Sequence, residues 1–146
     1  MNDIPKLKFA EEYIDNAIYL LTEKNSPASC CHLSGAAEEL LGNMLKAKRK
    51  TYALNNLWKL FDNEPFKKFY KWKTFKDFNN TMNHTKNSIK HYDNVKDSSI
   101  YNDNIEFEAA FMVIRSACNF FALTGDQHKS LKKFEGWFYR EWIGNV

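Results

Sequence analysis

The sequence predicts an all-α fold, a bundle of four to five helices built from a single domain over residues 1–146. Three observations lead there. Apolar residues recur at three-and-four spacing through most of the chain. No stretch alternates apolar and polar residues as a half-buried strand requires. Only five glycines and three prolines punctuate the chain, too few for the tight turns of a sandwich or barrel. A chain of this length holds one ordinary core. An apolar fraction of 44% with twelve Phe, seven Tyr and four Trp supplies that core, because each ring buries a large area, and it excludes a disordered chain.

The first helix is expected over about 5–23, where Leu7, Ala10, Tyr13, Ile14, Ala17, Ile18 and Leu21 share a face and Pro5 suits a helix start. Asn25, Ser26 and Pro27 have turn chemistry: Ser26 can cap and Pro27 can take the first helical position. The second helix then carries Cys30, Leu33, Ala36, Ala37, Leu40, Leu41, Met44 and Leu45. Gly35 and Gly42 lie on one side of it. Glycine weakens a helix, so close approach by a neighbouring helix is the expected benefit. Lys46, Lys48, Arg49 and Lys50 close this helix with cations, as the helix dipole favours.

A shorter helical piece follows over about 53–61, and Asp62, Asn63, Glu64 and Pro65 break the pattern. Thr74 can cap a further helix with the stripe Phe75, Phe78, Met82, Thr85 and Ile89, ending near His91 or Tyr92. Residues 93–104 are polar and aperiodic and read as the longest loop. Phe107, Ala110, Phe111, Ile114, Ala117, Cys118 and Phe121 then make one apolar stripe that Gly125 ends. A last helix over about 127–142 buries Leu131, Phe134, Trp137 or Phe138, and Trp142.

Residues 1–6 contain no apolar core of a secretory signal, and no stretch approaches the roughly 20 apolar residues needed to span a bilayer. Three cysteines, with Cys30 and Cys31 adjacent, form no CxxC pair. Together these predict a cytoplasmic protein with reduced thiols and no membrane partner.

The sequence has no glycine-rich phosphate loop, no GxSxG elbow, no HExxH and no ExxH pair, so no metal and no cofactor is expected. The strongest local candidate is the run from Asn83 to Tyr92. At 100° per residue His84, Asn87 and His91 fall opposite Ile89, with Lys86 and Lys90 beside them. Two imidazoles and an amide flanked by ammonium groups can hold a phosphate and move protons near neutral pH. The plainer alternative is the solvated side of an amphipathic helix. Charge points the same way. Residues 66–96 hold eight lysines against two aspartates, a local +6 in a chain of +3 overall. Cations interleaved with rings, Lys73 and Lys76 among them, suit a phosphodiester backbone and its bases; a lysine face over an ordinary aromatic core is the alternative. Glu38, Glu39, Arg115 and Asn119 lie near apolar stripes. Either Glu38 or Glu39 pairs with Arg115 across the bundle, or Arg115 faces the His91 site and offers its guanidinium to a phosphate.

The run Lys86-Asn87-Ser88-Ile89-Lys90-His91 resembles the motif of the HEPN superfamily, an Arg, a polar residue (often Asn), then a few positions and a His. The segments 32–42 and 117–125 look like those of uncharacterised bacterial helical proteins with a similar KH-containing stretch, and with them the likeness covers most of the chain. The resemblance implies a small helical bundle acting on RNA, often in toxin–antitoxin or defence systems, with metal-independent endoribonuclease chemistry. In that scheme His91 moves a proton at the ribose 2′-hydroxyl or the leaving oxygen, Lys86 stabilises charge on the phosphate, and Asn87 orients groups. Lys90, His84, Arg115, Lys73 and Lys76 would bind. Two protomers of the family usually bring their motifs together in a homodimer, and an antitoxin-type protein partner is also implied. Lysine at position 86 departs from the family arginine: it keeps the charge and loses the bidentate fork, which puts turnover in doubt. The expectation is therefore an RNA-interacting protein of ribonuclease type. The alternative is a noncatalytic module binding RNA or a protein, and a small-molecule enzyme built on Glu39, His91 and Arg115 is a third reading.

Overall fold

The computed structural model describes residues 3–63, 71–91, 99 and 104–144. The stretches 64–70 and 92–98 lie outside the described residues, and with them part of the aromatic, lysine-rich segment and most of the expected long loop. The described residues are all-α, in seven helices and a closing π-helical turn, rather than the expected four or five helices. Helix α1 (Lys6–Thr22) buries Ala10, Ile14, Ala17, Ile18 and Leu21, the predicted stripe. Helix α2 (Pro27–Ala47) has Pro27 in its first turn. The Ser26 hydroxyl donates to Ser29 Oγ (3.1 Å) instead of capping a backbone amide.

Helix α2 is central because α1 and α6 (Ile105–Thr124) both pack against it. Its buried residues are mostly small (Cys30, Cys31, Ser34, Gly35, Ala37, Gly42), so neighbours approach its backbone on several sides. At Gly35 the neighbour is a side chain: an added Cβ would lie 2.5 Å from Lys86 Cδ and 2.8 Å from Lys86 Cγ. At Gly42 it would meet Asn119 Nδ2 at an ordinary 3.5 Å. Helix α3 (Ala53–Phe61) is tied to the bundle at its first turn, where Ala53 N–H donates to Asn119 Oδ1 (2.7 Å).

The expected single helix after Thr74 is two, α4 (Phe75–Met82) and α5 (His84–Lys90). Thr74 caps as predicted, accepting from Asp77 N–H at 3.2 Å. The break at Asn83 has a cause in the bundle. Arg115 Nη1 donates to the Met82 carbonyl (2.9 Å) and Nη2 to Asn83 Oδ1 (2.9 Å), so a guanidinium inserts into the helical ladder there. The rings of Trp72, Phe75 and Phe78 pack with Trp58 and Phe61, centroids 5.2–6.3 Å apart. These aromatics form a second apolar cluster, in which Phe78 is fully buried and Trp58, Phe61, Trp72 and Phe75 are half-buried.

Helix α6 is capped by Asn104, whose Oδ1 accepts from Phe107 N–H, and ends at Gly125 in the left-handed region (φ 81°). By length and composition α6 alone among the described helices could cross a membrane, contrary to the expectation that no stretch is apolar enough; half of it is buried in the bundle. The expected last helix begins later, as α7 (Leu131–Phe138), and passes into the π-helical turn Tyr139–Ile143. Before it, His128 Nδ1 accepts from Ser130 N–H (3.2 Å) and Nε2 donates to the Glu11 carbonyl (3.0 Å). That fixes a neutral imidazole, and burial lowers its pKa from the ordinary histidine value.

Candidate functional site

The polar side chains that α2, α5 and α6 turn inward meet at one place. Arg115 is 1% exposed, and its Nη2 lies 2.9 Å from Glu38 Oε1. The pair of Glu38 with Arg115, one of the two arrangements the sequence leaves open, is the one that forms. Arg115 is thus held by Glu38, Asn83 and the Met82 carbonyl, and its guanidinium is not offered to a ligand beside His91. Asn119, one turn after Arg115, donates from Nδ2 to the Glu38 carbonyl (3.1 Å) while its Oδ1 anchors α3.

Lys86 belongs to the same cluster. It is 6% exposed, its stem crosses Gly35, and its ammonium lies 3.8 Å from both Glu38 Oε2 and Glu39 Oε2. Two cations, Lys86 and Arg115, therefore flank one buried carboxylate, which satisfies the requirement that buried charge be paired. The expected free cation next to His91 is instead a structural ion-pair partner. A burial-driven environment is also visible at neighbouring groups: the Cys30 thiol is pushed up to about 12 and the Cys31 thiol to about 11, both by desolvation first. The Glu108 carboxyl is raised by burial, with Arg115 and His84 opposing that shift.

The outer side of α5 carries the remaining predicted residues. His84, Asn87 and Lys90 are exposed, and exposed His91 terminates the helix, while Ile89 packs toward the core as the 100° reading requires. Lys73 and Lys76 are exposed at the start of α4. Thus Lys73, Lys76, His84, Asn87, Lys90 and His91 present donors to solvent along 73–91, and Lys86 and Arg115 do not.

Between α2 and the α4–α5 pair lies a polar cleft of about 280 Å³. Glu39, Asn43 and Lys46 line its α2 wall; Asn79, Asn83, Lys86 and Asn87 line the other, and Tyr52 is at its edge. Sequence reasoning missed Asn43, Lys46, Tyr52 and Asn79. The signal available was spacing: Glu39, Asn43 and Lys46 stand at i, i+4 and i+7, as do Asn79, Asn83 and Lys86. A larger groove of about 550 Å³, lined by Cys118, Phe121, Phe138 and Tyr139 among others, is almost wholly apolar and contains none of the predicted site residues. No group of three or more His, Cys, Asp or Glu able to hold a metal occurs among the described residues. The chain matches no family model, no curated protein and no solved structure.

Proposed function

We propose that this protein is an RNA-interacting helical module of HEPN-like character that engages single-stranded RNA along the outer side of α4 and α5. The observation that carries this reading is the set of exposed cationic and imidazole-bearing residues Lys73, Lys76, His84, Lys90 and His91, beside a polar cleft. Ammonium groups there meet phosphates, and amides and imidazoles supply directed hydrogen bonds. Binding to a labelled single-stranded RNA, measured across a salt series, tests it. Affinity should fall steeply and linearly on logarithmic axes as salt rises. Undetectable binding at low salt refutes the proposal.

A second reading, metal-independent endoribonuclease, is favoured by one feature: His91 is exposed where α5 ends, four residues beyond exposed Asn87. Its ring would move the proton of the ribose 2′-hydroxyl, with Asn87 orienting the phosphate. Lys86, held by two carboxylates, stabilises developing charge poorly in that position, so binding without rapid turnover is the stronger reading. Incubation of single-stranded RNA with the protein in EDTA separates the two. Cleavage that His91→Ala abolishes establishes the enzyme, and intact RNA at saturating protein establishes the binding module. Sedimentation of the purified protein tests homodimer formation, with or without an antitoxin-type protein partner. The cytoplasm is the proposed location.

A further inference from the structure

We infer that the cleft between α2 and α4–α5 is a base pocket selective for guanine. The inference rests on the RNA-interacting reading and names the part of the ligand the cleft takes. Among the cleft's charged groups, Glu38 is consumed by Arg115 and buried Lys86. Glu39 is different: its side chain is 61% exposed, and its only ion pair among the described residues is the loose 3.8 Å contact with Lys86. Its carboxylate therefore retains acceptor capacity facing the cleft. A carboxylate accepts from two adjacent donors at once. Of the four RNA bases only guanine carries two adjacent N–H donors, at N1 and N2, on its pairing edge. Adenine, cytosine and uracil each set an acceptor beside their donor, which a carboxylate repels.

The rest of the wall fits the same ligand. Asn43 stands one turn along α2 from Glu39, and its exposed amide can donate to a guanine acceptor. Lys46 stands a further turn on, its ammonium 4.5 Å from the centre of the half-buried Tyr52 ring. That exposed lysine can turn from the ring to the nucleotide phosphate, leaving the aromatic face to the base. Asn87 lines the opposite wall and also belongs to the exposed face proposed for the backbone, so one strand can lie on α5 and turn one base inward.

The test compares the intact protein and its Glu39→Gln variant for binding to three single-stranded oligonucleotides, identical except for guanosine, inosine or adenosine at one position, with free 5′-GMP and 5′-AMP in parallel. Glu39 is exposed, so folding of the variant should be unchanged. The expected result is a preference for guanosine over adenosine on the order of tenfold, the worth of a good bidentate contact. Inosine, which lacks the N2 donors, should fall between, and Glu39→Gln should bind the three within about threefold. Equal binding of all three by the intact protein overturns the pocket while leaving the RNA reading standing. Binding of 5′-GMP over 5′-AMP with no oligonucleotide binding supports the pocket and removes the RNA reading. Asn43→Ala gives an independent check: it should weaken guanosine binding and leave adenosine binding unchanged, and equal losses for both count against the assignment.

Discussion

Replacing Arg115 with methionine isolates the buried ion pair at the centre of this molecule. The substitution keeps an unbranched stem of similar width and removes the guanidinium, with its hydrogen bonds to Glu38, Asn83 and the Met82 carbonyl. Taking one partner from a buried pair costs about 3–5 kcal/mol, because the other charge stays buried without compensation. Two features place this case near the lower end. Lys86 remains 3.8 Å from Glu38, and Arg115 Nε has no hydrogen-bond partner among the described residues, so the pair is not fully satisfied to begin with. A loss of about 3 kcal/mol is therefore expected in urea unfolding, and a fall in Tm of roughly 6–12 °C for a chain of this size. Glu38→Gln should cost at least as much, since it leaves two buried cations, Arg115 and Lys86, without the carboxylate between them, although the amide oxygen can still accept from Arg115 Nη2. The double variant should be more stable than the sum of the two losses predicts, by on the order of 1 kcal/mol or more, as residues in one network do not add. Arg115→Met within 0.5 kcal/mol of the parent protein would falsify the claim that this pair holds α2, α4–α5 and α6 together.

Gly35→Ala should destabilise by about 1–2 kcal/mol despite alanine's better helix propensity, because Lys86 must leave its carboxylates; in a Lys86→Ala background the same change should be neutral or stabilising by up to about 1 kcal/mol, read by urea midpoints. His128 has a lowered pKa in the folded state, so the unfolded chain binds a proton more readily. Stability should be full above about pH 6.5 and decline as pH falls toward the folded value, by at most about 1.4 kcal/mol per pH unit, and His128→Gln should remove that part of the slope. Thiol titration of the native protein should find one reactive cysteine, exposed Cys118, with Cys30 and Cys31 reacting only after unfolding. Rapid labelling of all three in the native state would contradict the burial of α2.

Where periodicity is strong, the sequence was a good guide. The stripe of α1, Pro27 in the first turn of α2, the Thr74 cap and the Gly125 stop all appear as read, since each depends on residues within one or two turns. The α6 stripe does not: of the residues expected there only Ala110 and Ala117 are buried, and Phe107, Cys118 and Phe121 are exposed. The helix turns Ala109, Met112, Val113, Ser116 and Phe120 inward instead, because the neighbouring helices pack against its small residues. The break between α4 and α5 was not legible, because its cause, Arg115, lies over thirty residues away. Nothing local distinguishes Asn83 from an ordinary helical asparagine until a guanidinium takes the Met82 carbonyl. The role of Lys86 was hidden for the same reason. By spacing it belongs to a polar run, and only the absent side chain of Gly35, on a different helix, shows that it points inward. His84 and Asn87 are exposed on α5 away from Ile89, as the 100° reading has it, since that reading concerns one short helix alone; His91 is exposed too, but as the extended residue that ends the helix.

The outer face of α4–α5 is tested most directly by the salt dependence of single-stranded RNA binding for the parent protein and a Lys73→Ala/Lys76→Ala/Lys90→Ala triple variant. All three lysines are exposed, so the variant should keep its fold. Each phosphate contact on a single strand contributes about 0.7 to the slope of log affinity against log salt, so the variant's slope should be shallower by about 2. An unchanged slope with unchanged affinity would show that RNA, if bound at all, lies elsewhere on the molecule.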